Sequence, residues 1–177
     1  MAFSIGAAVE RWATRRTVVS ALVGVVGCVA GLAWRQSRLA GLDLLDGRGW
    51  YTPEEAAALF DALDRLDASA RAVYAATALT IDMVFPASYG LLLAVLLFRL
   101  FPGGARLYVL PLAVALADAL ENITVAVLAL SHDGTPSPLA WPGAVFTLVK
   151  WVLLLATLAA ICVGGMRWLW ARTRHSR

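Results

Sequence analysis

The stretches 70–99 (ARAVYAATALTIDMVFPASYGLLLAVLLFR) and 107–130 (LYVLPLAVALADALENITVAVLAL) decide the fold. Each is long enough to cross the hydrocarbon core of a membrane as a helix, since that takes about 20 mainly apolar residues. The first carries one acidic side chain near its middle and the second carries two, at a depth where charge is costly and most often functional. The two stretches therefore predict membrane helices that hold a polar site.

Two further apolar stretches complete the pattern. Residues 17–34 (TVVSALVGVVGCVAGLAW) contain no charge, and residues 139–166 contain only Lys150. The chain is 60% hydrophobic and 15% charged, whereas globular domains carry about 45–50% apolar and about 25% charged residues. We therefore predict an all-α fold, a four-transmembrane-helix bundle that forms one membrane domain over residues 1–177.

Small residues follow one side of the first span. Gly27 and Gly31 form a GxxxG pair, and Gly24 and Cys28 lie on an adjacent small face, which favours close helix packing. A competing interpretation is a cleaved signal, because Arg15 and Arg16 precede the apolar run as in a twin-arginine signal and the sequence up to Cys28 resembles a lipoprotein cleavage site. We expect the segment to be retained, because the apolar run continues to residue 34.

A short amphipathic helix is predicted over residues 53–67. Thr52 suits the N-cap, Pro53 suits the first helical position, and acidic residues follow in the first turn. The segment is too charged to span, so we expect it to lie on the membrane surface, anchored by Trp50 and Tyr51. It would be either a solvated connector or a lid over a site.

The distribution of basic residues predicts the orientation. The head has three, the 99–106 turn has two, and the tail has four, whereas the 131–138 loop has none. Segment 35–71 has five, but also seven acidic residues. An excess of Lys and Arg marks the cytoplasmic side, so both termini are expected there, in the inner (plasma) membrane of a bacterium. The arginines behind the net charge of +3 thus give no reason to expect a nucleic-acid partner.

The second span carries a polar face. Asp82, Pro86 and Tyr89 are spaced i, i+4, i+7 and so share one side of a helix. Pro86 lacks an N–H group and displaces the carbonyl four residues back, which is that of Asp82. This pattern predicts either a contact for a ligand or ion, or only a kink.

The third and fourth spans carry matching polar faces. Asp118, Glu121 and Asn122 share one side of the third span, and Thr147, Lys150 and Thr157 share one side of the fourth. Counted from the span ends, the polar residues of all three spans fall at a similar depth. We therefore predict one cluster that includes Asp82, Glu121 and Lys150.

The energetics of insertion favour such a cluster. The twelve Leu, Ile and Val residues of the third span contribute roughly 4–7 kcal/mol, against roughly 5–7 kcal/mol for its two acids. The favourable and unfavourable free energies of insertion nearly cancel, so the acids of this span should need partners on other helices. Lys150 and Tyr89 are the obvious ones. Three acids against one lysine leave excess negative charge, so carboxyl groups carry protons or a cation binds there.

Each candidate residue is given a role on these grounds. The acid–base or catalytic candidates are Glu121, Asp82, Lys150 and Asp118, and the binding candidates are Tyr89, Asn122, Thr147 and Pro86. Glu121 is expected to contact the ligand, because it lies one turn closer than Asp118 to the depth of Lys150. No metal site is predicted, His132 is interpreted as a loop residue, and the pattern identifies no cofactor.

Four short motifs carry a resemblance to known proteins. They are Tyr51-Thr52-Pro53-Glu54-Glu55, Asp82-x3-Pro86-x2-Tyr89, Asp118-x2-Glu121-Asn122 and Thr147-x2-Lys150-Trp151. Over residues 50–155 the chain resembles a group of small, uncharacterised bacterial four-helix membrane proteins. The resemblance implies the four-helix membrane fold and no particular activity.

Three functions fit the sequence. The first is binding or transformation of an apolar molecule, such as a lipid or an isoprenoid, at the acidic site. The second is proton- or cation-coupled transport, in a homo-oligomer because four helices leave little room for a pore. The third is an accessory or assembly subunit whose polar network only fixes helix packing. Membrane lipid is the expected surrounding in each case.

Overall fold

The computed structural model describes residues 5–102 and 106–175, and these residues form helices and connections without a β-strand. The helices are α1 (Ile5–Trp12), α2 (Arg15–Arg38), α3 (Pro53–Leu66), α4 (Ala70–Ala78), α5 (Ile81–Leu100), α6 (Val109–Ser131) and α7 (Ala140–His175), with a 3₁₀ turn at Leu45–Gly47. The 99–106 turn falls partly outside the described residues, and the last arginine of the basic tail, Arg177, lies outside them. The all-α prediction is confirmed.

Four parts of the chain are long and apolar enough to cross a membrane: Arg15–Arg38, Ala70–Leu100, Val109–Ser131 and Ala140–Thr173. The second of these is interrupted, because α4 ends at Ala78 and α5 begins at Ile81. The last span, helix α7, runs nine residues beyond its predicted end at residue 166, since residues 167–175 contain neither Gly nor Pro to stop it.

Helix α2 packs on α5, α5 on α6 and α6 on α7, with a smaller contact between α5 and α7, and α4 packs on α6. At one end of the bundle, Arg71 donates from Nη1 to the carbonyl oxygens of Ala129 and His132, which satisfies the end of α6. At the other end, Arg99 donates to the carbonyl of Ala13. We call the first the loop end, since segments 39–69 and 132–139 lie there, and the second the terminal end.

The segment after α2 turns into the bundle at the loop end. Ala40 and Gly41 both have positive φ, and the Gly41 N–H donates to the carbonyl of Gln36, which closes the helix. Leu45 and Tyr51 are then fully buried. We refer to residues 39–52 as the inward loop.

Tyr51 differs from its prediction as a membrane-surface anchor. Its side chain is fully buried, whereas Trp50 is exposed and lies 6.0 Å from the ring of Trp141. The reason is the hydrophobic core at the loop end, which Tyr51 joins together with Phe60 and Tyr74. Burial of a large aromatic ring there outweighs a place at the interface.

Helix α3 matches the predicted capping. Thr52 is the N-cap, and its hydroxyl accepts from the Glu55 N–H while the Glu55 carboxylate accepts from the Thr52 N–H. The apolar face of α3 packs into the loop-end core through Leu59, Phe60 and Leu63. His132 closes the same region, since its Nε2 lies 2.8 Å from Asp61 Oδ1. Its place in a loop agrees with the sequence interpretation.

Small residues permit the close helix crossings. A Cβ added at Gly31 would lie 3.0 Å from Ile81, and one at Gly90 would lie 2.8 Å from Ala115 Cβ and 3.2 Å from the backbone oxygen of Pro111. Gly27, the other half of the GxxxG pair, has nothing within 4 Å of such a Cβ. The tight contacts of α2 therefore involve Gly31 and not Gly27.

These crossings predict different effects for two identical substitutions. Gly90→Ala should lower the unfolding temperature in detergent, because α5 and α6 must separate, at a cost of about 1–3 kcal/mol. Gly27→Ala is the matched control and should cause no loss, because the added methyl group meets open space. Equal losses for the two variants would contradict the assigned α5–α6 contact.

Candidate functional site

Lys150 of α7 reaches across the bundle to two acids of α6. Its Nζ atom lies 2.6 Å from Glu121 Oε2 and 3.5 Å from Asp118 Oδ1. It also donates to the backbone carbonyl of Asp46, at 3.1 Å, on the inward loop. All three side chains are buried. We call Asp118, Glu121 and Lys150 the acid–lysine cluster.

Each acid of the acid–lysine cluster has a second partner. The Thr147 hydroxyl donates to Glu121 Oε1 at 2.7 Å, and the Tyr89 hydroxyl donates to Asp118 Oδ2 at 2.7 Å. The hydroxyl of Tyr51 lies beside Thr147 without a well-aligned hydrogen bond. Burial and then the nearby Glu121 carboxylate raise the pKa of Tyr51, so this phenol stays neutral.

A second ionic group lies next to the first. Arg35, near the end of α2, donates from Nη1 to Asp82 Oδ2 at 2.9 Å and from Nη2 to Asp46 Oδ2 at 2.5 Å. The Tyr74 hydroxyl donates to Asp46 Oδ1 at 2.9 Å and accepts from the Leu45 N–H. We call Arg35, Asp46 and Asp82 the arginine bridge.

As predicted, Pro86 leaves the backbone carbonyl of Asp82 without its helical hydrogen bond. The Asn122 side-chain amide donates to that carbonyl at 2.5 Å and so replaces the hydrogen bond that proline cannot make. The α5 helix continues through Pro86, and the interruption of the span lies earlier, at residues 79–80. The freed carbonyl is therefore a helix contact, not a ligand contact.

A cavity of about 330 Å³ opens onto both groups. Its polar floor consists of Asp46, Asp82, Asp118, Lys150 and the Tyr89 side chain. Its apolar wall consists of Leu32 of α2, Phe85 and Leu93 of α5, and Trp151 and Leu154 of α7. Pockets of about 300–1,000 Å³ with an apolar wall and a few convergent polar groups are the usual form of a small-molecule site.

The structure divides the predicted site residues into two sets. Four of them contact the cavity: Asp82, Tyr89, Asp118 and Lys150. The other four lie behind its wall, where they hold the first set or the helices in place: Pro86, Glu121, Asn122 and Thr147.

The relative placement of Asp118 and Glu121 is the reverse of the expectation. Asp118 is part of the cavity floor, whereas Glu121 is fully buried behind Lys150. Depth along a helix could not reveal this order, because it depends on the side chains that approach from α7 and from the inward loop. Of the two acids, Asp118 is therefore the one that is open to the cavity.

The arginine bridge was missed in the sequence analysis, where Arg35 and Asp46 counted as charges of a polar segment. The sequence did contain a local sign that this segment enters the bundle, because Asp46 follows two leucines, Leu44 and Leu45, and both are buried. Including Arg35 and Asp46, four carboxyl groups now face two basic groups.

The site does not resemble a metal centre. In residues 5–102 and 106–175, no three His, Cys, Asp or Glu side chains converge in a way that could hold a metal ion.

Comparisons of the chain with family models, with curated proteins and with solved structures gave no match.

The pairing of Lys150 with Glu121 predicts a specific non-additive effect. Lys150→Ala should destabilise the protein by about 3–5 kcal/mol, because it leaves a fully buried carboxylate without a cation. The double variant Lys150→Ala, Glu121→Gln should be more stable than that single variant, because no uncompensated charge remains at Glu121. Thermal unfolding in one detergent measures both, and a double variant no more stable than the single one would contradict the pairing.

Proposed function

We propose that this protein binds a lipid- or isoprenoid-like molecule within the membrane, with the polar end of that molecule on the floor of the cavity. The observation that supports the proposal is the cavity itself, which joins an apolar wall to buried charged groups. A purely structural polar network would be expected to close on itself, since packing around unfilled space forfeits contacts.

The position of the cavity suits access from the lipid. It lies between α2 and α7, which flank α5 without an extensive contact with each other. Lys150 is ten residues from the start of α7, or about 15 Å at the rise of a helix, and so near the middle of a hydrocarbon core about 30 Å thick. A molecule dissolved in the membrane could enter sideways, with its apolar part still among lipid chains.

The floor also offers groups for proton exchange. Asp118 is held by Tyr89 on one oxygen and faces Lys150 with the other. If the bound molecule is transformed, these are the groups in position to act as acid and base. The excess of carboxyl groups is the observation that favours the second candidate, a proton- or cation-coupled carrier, which would need a water path to both ends of the bundle.

Four spans make the chain a multi-pass membrane protein, and we propose the inner membrane of a bacterium with both termini in the cytoplasm. Both described ends of the chain lie at the terminal end, because Arg99 contacts Ala13 and Arg167 lies over the Phe101 ring. At the loop end, Arg35, Arg48 and Arg71 are engaged by carboxylates, which leaves fewer free charges to orient the chain.

Reporter fusions test this orientation. A cytoplasmic reporter fused after residue 177 should be active, and the same reporter inserted at Thr135 should be inactive, because the two sites lie on opposite sides of the membrane. An export-dependent reporter at the same sites is the control and should give the opposite pattern. Activity of the export-dependent reporter at the C-terminus would overturn the proposed orientation.

Filling the cavity tests the proposed binding. Leu93→Trp places a large ring in the apolar wall and should displace a copurified amphiphile, measured by mass spectrometry of the purified protein. Leu96→Trp, on the lipid-facing side of the same helix, is the matched control and should retain the wild-type amount. Equal retention in both variants would contradict binding in this cavity. If no amphiphile copurifies with wild type and none binds when added, the accessory-subunit hypothesis would replace the proposal.

A further inference from the structure

The cavity floor has an open hydrogen-bond acceptor. Asp82 is buried, with 7% of its side chain exposed, and its Oδ2 atom is bound by Arg35. Its Oδ1 atom accepts no hydrogen bond from the residues that the structure describes, although Asp82 lines the cavity. A carboxylate oxygen that faces a largely apolar cavity without a donor is costly, so a ligand that donates to it would gain from filling this position.

The basic groups, by contrast, are already engaged. Both terminal nitrogens of Arg35 are bound by carboxylates, its Nε is sealed from the cavity, and Arg35 is absent from the cavity wall. Lys150 reaches the cavity, but three oxygen atoms from Glu121, Asp118 and Asp46 surround its Nζ. A phosphate or carboxylate head group would therefore meet acceptors instead of free donors.

The charge of the floor points to a cation. Among the residues that the structure describes, the three floor acids Asp46, Asp82 and Asp118, and Glu121 behind them, form ion pairs only with Arg35 and Lys150, which leaves two carboxyl groups in excess. An organic cation fits better than a metal ion, because the described acids do not converge as ligands of one ion. Phe85 presents an aromatic ring to the cavity above the floor, next to Tyr89, and aromatic faces attract ammonium groups, as the Trp151 ring does with Lys150 at 5.7 Å.

We propose that the ligand of this cavity is a primary amine on an apolar chain, bound as its ammonium form with a hydrogen bond to Asp82 Oδ1. This inference rests on the function proposed above and specifies its ligand class. The ammonium group supplies both the missing donor and positive charge, and the chain lies against the apolar wall toward α2 and α7. Charge-assisted hydrogen bonds are about twice as strong as neutral ones, so the amine should be preferred over an alcohol of equal length.

Three probes with one decyl chain test the proposal on the full-length protein in a nonionic detergent at neutral pH. They are decylamine, decanol and decyl phosphate, and native mass spectrometry measures their binding. Decylamine should bind about tenfold more tightly than decanol, and decyl phosphate should not bind. Asp82→Asn should reduce the affinity for decylamine to that for decanol, since Arg35 keeps its bond to Asp46. Asp133→Asn, in an exposed loop, is the control and should leave both affinities unchanged.

The other possible binding results each contradict the ammonium proposal. Equal binding of decylamine and decanol, or preferred binding of decyl phosphate, would overturn the ammonium proposal and leave amphiphile binding in place. Binding of none of the probes would overturn both. If Asp82→Asn does not fold, the order of the three probes on wild type still decides, and Phe85→Leu should weaken the binding of decylamine more than that of decanol, because it removes an aromatic face.

Discussion

The buried guanidinium of Arg35 is the constraint on which the rest of the structure depends. An ionised side chain removed from water must be paired and hydrogen-bonded, or it costs several kcal/mol. No acid of α2 can serve, since Arg15–Arg38 contains none. The partners are Asp46, eleven residues later, and Asp82, forty-seven residues later. This one group therefore connects α2, the inward loop and α5.

The inward loop follows from the same requirement. To bring Asp46 to Arg35, the chain turns back after α2 and buries Leu45 and Tyr51 at the loop end. Its backbone is satisfied there by side chains, since Tyr74 accepts from Leu45, and Lys150 donates to the carbonyl of Asp46. Irregular backbone at membrane depth is tolerated only where it is buried in protein or lines a cavity. Leu44, Leu45 and Tyr51 of the loop are buried in the protein, and Asp46 supplies part of the cavity floor.

Local patterns were sufficient to predict the helices and insufficient to predict the complete site. The four spans and the cap at Thr52 depend on neighbouring residues, so composition and spacing reveal them. Helical spacing also placed Asp118 and Glu121 on one face, and depth brought Lys150 to them. The pairing of Arg35 with Asp82 has no local signature, because it depends on how two distant segments pack. The same is true of the order of Asp118 and Glu121 relative to the cavity.

The arrangement of the helices leaves the polar network beside a gap between two spans. In a closed bundle of four helices, charges at the centre would be enclosed on every side. Here α6 is covered by α5 and α7, which also contact each other, whereas α2 packs on α5 without an extensive contact with α7. The arginine bridge and the acid–lysine cluster meet at the bottom of that gap, below a cavity with an apolar wall. Because lipid chains offer no partners to charged groups, these acids and bases depend on one another and on the tyrosine, threonine and backbone groups that hydrogen-bond to them.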